Sequence, residues 1–183
     1  MRFRILGIAG ILLAALGATA CAATQTQRSP GEAIDDTVIT STIKASLVED
    51  PITKARQIEV DTYRGVVQLS GYVDTAASKA RAAELAQMTK GVTRVDNSLE
   101  VRNTDTTAGT MIDDSLLTTK VKAALIDNPK TKARQINVET LRGVVQLSGF
   151  VDSSAEKEEA AAVAGSVSGV KEVHNELAIK PAS

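Results

Sequence analysis

The sequence predicts an α+β protein. It reads as two tandem α-β-β-α-β modules, each a three-stranded mixed sheet covered on one face by two helices. Three observations lead there. RGVVQLSGYVD at 64–74 returns as RGVVQLSGFVD at 142–152, and the offset of 78 holds without a gap on both sides. Apolar residues recur at helical spacing early in each copy. Two runs of period two then follow, with Arg-Gly between them.

The first element lies outside the modules. MRFRILGIAGILLAALGATA sets two arginines before an apolar run that closes on small residues. This pattern predicts a signal peptide over 1–20. The run is short against the ~20 apolar residues of a membrane span. Cys21 follows and is the sole cysteine, so no intrachain disulfide can form. Cleavage after Ala18-Thr19-Ala20 would leave an incidental thiol. A lipoprotein signal would instead make Cys21 the lipidated first residue of the mature chain. The segment resembles a bacterial lipobox, with Ala18 where Leu is usual. Several acyl chains would anchor stably, at ~0.8 kcal/mol per buried methylene. Residues 21–32 read as a flexible tether, and the eleven after Cys21 reach at most ~40 Å when extended.

Module one spans 33–101, a linker spans 102–110, and module two spans 111–180. Asp35-Asp36 and Asp113-Asp114 are expected to cap the first helix of each copy. Val38, Ile39, Ile43 and Leu47 then recur at helical spacing, as do Leu116, Leu117, Val121 and Leu125. Pro51 and Pro129 end these helices. Ile58 and Val60, then Val67, Leu69 and Val73, alternate with polar residues as two half-buried strands. Tyr63-Arg64-Gly65 turns between them, so they pair as a hairpin. Gly71 shares the inward parity and leaves room for a close neighbour or a bulge. Asp74 or Thr75, and Asp152 or Ser153, cap Ala-rich helices that can lie close to a sheet. Gly91 and Gly169 end them. A third strand places Val95, Leu99 and Val101 on one face.

The order D-D-x-x-[IL]-T-x-x-[IV]-K-A-x-L, G-V-V-x-L-S-G-x-V-D and G-V-x-x-V-x-N-x-L resembles the BON domain, twice, over 33–101 and 111–179. The chain is similar to two-BON envelope proteins of Gram-negative bacteria. One branch of these is periplasmic and induced by osmotic stress, and another is an outer-membrane lipoprotein. The repeats look closer to the former and the N-terminus to the latter. The resemblance implies a non-enzymatic protein without cofactors that binds anionic phospholipid and maintains outer-membrane integrity. Envelope proteins are further possible partners. It implies membrane contact through the first helix of the second module, at Leu116, Leu117, Lys120 and Lys122. The lipoprotein branch can carry Trp at position 116. Ala22 after the cysteine agrees with outer-membrane sorting, facing the periplasm. The alternative is a soluble periplasmic osmotic-stress protein that binds other proteins, unfolded ones included.

The remaining residues carry little chemistry. His174 is the only histidine, its counterpart is Asp96, and parity predicts an exposed strand residue. No phosphate loop, Cys/His metal spacing or nucleophile elbow is present, so neither a catalytic nor a metal site is expected. The formal charge of −1 falls to about −3 without Arg2 and Arg4, and Trp is absent. Nucleic acid is therefore not an expected partner. Lys120, Lys122, Lys130, Lys132 and Arg134 gather around the first helix of module two, where copy one keeps only Lys44, Lys54 and Arg56. Glu156, Glu158 and Glu159 gather elsewhere. The basic group reads either as a patch for anionic head groups or as a solvated helix face. Gln68, Ser70 and Tyr72, with Gln146, Ser148 and Phe150, fall on the sheet face that the helices leave bare. Tyr72 and Phe150 there are candidates for protein or inter-module contact.

Overall fold

The structure is a computed structural model that describes residues 30–53, 57–102 and 107–181. The signal peptide, Cys21, Lys54 and Arg56 lie outside the described residues. Each module folds in the expected order. Module one comprises α1 (Pro30–Glu49), β1 (Ile58–Tyr63), β2 (Val66–Val73), α2 (Ala76–Gln87), β3 (Arg94–Asn97) and β4 (Glu100–Val101). Module two comprises α3 (Ala108–Asp127), β5 (Asn137–Leu141), β6 (Val144–Ser148), β7 (Phe150–Val151), α4 (Ser154–Ser166), β8 (Glu172–Asn175) and β9 (Ala178–Ile179). Two stretches are helical beyond the expected limits. α1 takes in the last residues of the tether, and α3 begins at Ala108, capped by the Thr107 hydroxyl, which accepts from the Thr110 N–H.

β1 and β2 pair antiparallel, and β3 and β4 run parallel to β2. Module two repeats this with β5–β6, β6–β8 and β7–β9. The expected third strand is thus split. Asn97 holds the break, accepting from the Leu99 N–H while its amide donates to the Lys79 carbonyl of α2. Leu99 is buried, whereas Val101 beyond the break is exposed, against expectation. The same Asn recurs as Asn175 on Lys157 and Leu177.

The cores are separate. Ile39, Ile43 and Leu47 of α1 meet Val60, Val67 and Leu69 of the sheet, and Ala82 and Ala86 bring α2 close. Leu117, Val121 and Leu125 play the α1 part in module two. Thr75 and Ser153 are the caps of α2 and α4.

Asp35-Asp36 and Asp113-Asp114 do not cap. They lie inside α1 and α3, and Asp36 and Asp114 are buried on the core-facing stripe. Each reaches across to the hairpin turn. Asp36 accepts from the N–H groups of Arg64 (2.8 Å) and Gly65 (2.9 Å). Asp114 accepts from Arg142 (2.7 Å) and Gly143 (2.9 Å). Both turn residues have positive φ, 51° and 73° in copy one and 55° and 83° in copy two. A two-residue hairpin needs this geometry, which Arg tolerates poorly. The carboxylate holds it.

Gly71 and Gly149 meet the expected close neighbour. A Cβ there would fall 2.0 Å from the Gln57 carbonyl and 2.2 Å from the Gln135 carbonyl respectively. The close approach kinks β2, and in module two it divides β6 from β7.

Candidate functional site

Two surfaces follow from this frame: the outer side of α3, and the sheet faces opposite the helices. On α3, Leu116 is 54 % exposed and Ile112 is 68 % exposed. They stand one turn apart, with Lys120 a further turn along, so the three share a ridge. Met111 is exposed beside Ile112. Leu117 is not on the exposed ridge, although it borders a cleft beside it. It points into the core at 7 % exposure, which corrects its place among the membrane-contact residues. One residue along a helix turns the side chain by about 100°, enough to separate the two leucines. Lys122 is exposed but leaves the ridge, six residues on from Leu116, and its charge acts on Glu139 of β5.

A cleft of about 580 Å³ adjoins the ridge. It is lined by Leu116 and Lys120, by the Arg142–Gly143 turn, and by Gly169 and Lys171. Lys171 donates to the Arg142 carbonyl (2.9 Å). The equivalent cleft of module one, about 510 Å³, holds Arg64 and Lys90. Thr42 and Thr93 are the sequence equivalents of Lys120 and Lys171.

The basic group of module two is not one patch. Lys130 pairs with Glu159 (3.3 Å) and Lys132 with Asp152, near the far end of α3. Asp152 also receives Lys180. Hydrogen bonds from Lys132 and then Lys180 hold the Asp152 carboxyl below the usual range, against burial. Glu156 is buried and accepts from the N–H groups of Lys132 (2.7 Å) and Asp152 (3.1 Å). The acids of α4 therefore meet these lysines. Opposite charges distant in sequence have closed on each other.

The bare sheet faces pack together. Gln68, Ser70, Tyr72, Gln146, Ser148 and Phe150 are all buried between the modules. The contact is reciprocal. Gln146 accepts from the Gly71 N–H and donates to the Ser98 carbonyl. Gln68 accepts from the Gly149 N–H and donates to the Glu176 carbonyl. Ser70 meets Ser148 at 2.8 Å, at the centre of the two-fold relation. Tyr72 donates to the Val144 carbonyl (3.2 Å), and Phe150 lies 5.6 Å from the Tyr63 ring.

His174 is also placed here rather than in solvent. It bonds Glu100 of the other module through Nδ1 and Glu172 through Nε2 (2.9 Å). The parity reading was right about the face but could not see that a second sheet covers it. Among the described residues no group of three or more His, Cys, Asp or Glu side chains could hold a metal. Among them, too, no helix is long and apolar enough to cross a membrane.

The paired three-element motif, in the same order in both copies, has a counterpart among known families. The BON domain model matches residues 35–103 and again 113–181. The chain belongs to the BON domain family. Osmotically-inducible protein Y of Escherichia coli is 40% identical over 153 residues, covering 82% of this chain and 75% of that protein. Outer membrane lipoprotein DolP of Haemophilus influenzae is 40% identical over 158 residues, covering 86% and 81%. A 21 kDa hemolysin of Actinobacillus pleuropneumoniae is 35% identical over 148 residues, covering 80% and 75%.

The turn-holding role of Asp36 and Asp114 and the reciprocal bonds of Gln68 and Gln146 were not foreseen from the sequence. Both signals were present. Asp36 and Asp114 stand on the apolar stripe, and Gln68 and Gln146 are identical at matched positions.

Proposed function

We propose that this BON protein is a non-enzymatic cell-envelope lipoprotein, anchored at the outer membrane through Cys21. Its second module rests on anionic phospholipid, and the contact helps maintain membrane integrity. The observation that carries the reading is the exposed ridge Ile112–Leu116–Lys120 beside the Arg142 and Lys171 cleft. Apolar side chains enter the interfacial layer while each nearby cation adds ~1 kcal/mol at an anionic surface. Module one lacks the cations equivalent to Lys120 and Lys171, so module two is the one that docks. The named similarity to an outer membrane lipoprotein supports the envelope setting.

Co-sedimentation with phosphatidylglycerol and with phosphatidylcholine vesicles tests it. Binding is expected to the anionic vesicles and to be lost in a Leu116→Asp, Lys120→Glu variant. Unchanged binding would discard these positions. The mass of the mature protein decides the anchor: a diacylglyceryl adduct on Cys21 in the membrane fraction is expected. An unmodified soluble protein would favour the second reading, a periplasmic osmotic-stress protein that binds other proteins. The similarity to the osmotically-inducible protein supports that reading. The sheet faces that motivated client binding are occupied by each other, so it would need the modules to part.

A further inference from the structure

The inter-module contact is symmetric at its centre and asymmetric at its rim. Gln68, Ser70 and Gly71 match Gln146, Ser148 and Gly149, so the centre is the same from either side. The rim is not. At one edge, Asn137 of β5 donates to Asp61 of β1 (2.6 Å). The two-fold equivalents of that pair are Glu59 and Glu139, two carboxylates. At the other edge His174 meets Glu100, where the equivalents are Asp96 and Ala178. The titratable rim groups Asp61, Glu139 and His174 alternate with core residues on their strands. They point away from the helices of their own module. What covers them is the other module.

We propose that docking of the two modules is proton-linked: mild acid tightens the contact, and rising pH loosens it. The rim groups are the device. Docking brings Asp61 and Glu139 out of water near Glu59. Among the described residues, the cations set against these acids are Lys44, on Glu59 (2.6 Å) and Asp61, and Lys122 on Glu139. It also sets His174 between Glu172 of its own strand and Glu100, which holds Arg102 as well (2.8 Å). Tyr72 lies alongside Glu100 and Arg102 on the same face.

The directions agree with this geometry. Burial, then the Glu59 charge, raises the Asp61 carboxyl to about 6, against Asn137 and Lys44. Burial raises Glu139 as well, Lys122 opposing and Glu59 adding. Burial works to lower His174, but the hydrogen bonds to Glu172 and Glu100 outweigh it and the net shift is upward. Glu172 stays with His174 when the modules part, and Glu100 does not. Asp61 and Glu139 hold protons more tightly docked than apart, and the Glu100 contact draws His174 the same way against its burial. Docking therefore takes up protons, and its free energy is greatest at low pH. It declines as pH rises through the docked values. Parting uncovers the Gln68–Tyr72 and Gln146–Phe150 stretches. This inference does not depend on lipid binding or on Cys21.

Amide hydrogen exchange of the full chain tests it. The Gly71 and Gly149 N–H groups are bonded across the contact by Gln146 and Gln68, so they report docking directly. Rates are corrected for the intrinsic pH dependence of exchange. Protection at these two amides is expected to fall roughly threefold or more per pH unit between about pH 4.5 and 6 and to level off above about pH 7, since one proton taken up corresponds to tenfold and the docked Asp61 value is about 6. Amides in the β1–β2 and β5–β6 ladders should keep their protection. An Asp61→Asn, Glu139→Gln double variant should flatten the slope to under about twofold, and each single variant should flatten it in part. PH-independent protection in the wild type, or an unchanged slope in the variants, overturns the proposal.

Discussion

Replacing Asp114 by Ala tests the mechanism that holds the hairpin turn. Asp114 is 8 % exposed, and its two oxygens accept from Arg142 at 2.7 Å and Gly143 at 2.9 Å. Hydrogen bonds to a charged acceptor contribute ~1.5–3 kcal/mol each. The two losses are unequal. Arg142 is exposed, so its freed amide finds water, while Gly143 is buried and its amide does not. One full bond and part of another give a loss of ~2–4 kcal/mol. The turn also loses the support for φ of 55° at Arg142, a strained geometry of ~1 kcal/mol or more. Asp114→Asn keeps one acceptor but sets an NH2 against the second N–H, so about half the loss is expected. Urea unfolding followed by circular dichroism gives the number, as a shift in midpoint at unchanged slope. A loss below ~1 kcal/mol for the Ala variant would refute the reasoning, because the turn would then stand without its acceptor. Asp36→Ala should repeat the result in module one.

Three further outcomes are expected. Gly149→Ala places a Cβ 2.2 Å from the Gln135 carbonyl at φ of 114°, so it should cost ~3 kcal/mol or more or prevent folding, read by thermal unfolding. Leu117→Ala empties a core position and should cost ~2–5 kcal/mol, whereas Leu116→Ala should change stability by under ~0.5 kcal/mol and weaken vesicle binding instead. The Asp152 carboxyl is lowered in the fold, so its contribution is present above the unfolded value of ~3.9 and is lost as pH falls through the folded one. Asp152→Asn should therefore be less stable than the wild type at neutral pH, and the two should converge in strong acid, measured as urea midpoints against pH.

The candidate surface was half legible in the sequence. Leu116 and Lys120 are exposed on one side of α3, as their spacing of four allows. Leu117 is not, because adjacent apolar residues on a helix look alike until the sheet beneath chooses between them. The single basic patch dissolved for a related reason. Lys130 and Lys132 appeared free because Glu159 and Asp152 lie twenty or more residues away along the chain.

What the sequence by itself determined is everything that repeats locally. The 78-residue offset, the helical stripes, the period-two strands and the Arg-Gly turns fix two α-β-β-α-β modules, because these patterns follow from backbone geometry within a few residues. Only the tertiary structure decided what met across the chain. It turned Asp36 and Asp114 from expected caps into acceptors for a turn about twenty-eight residues on. It closed the two bare sheet faces on each other and drew His174 between two glutamates. Those choices depend on which surfaces have no other way to leave water and which donors have no other acceptor. Neither is a property of any short stretch of sequence.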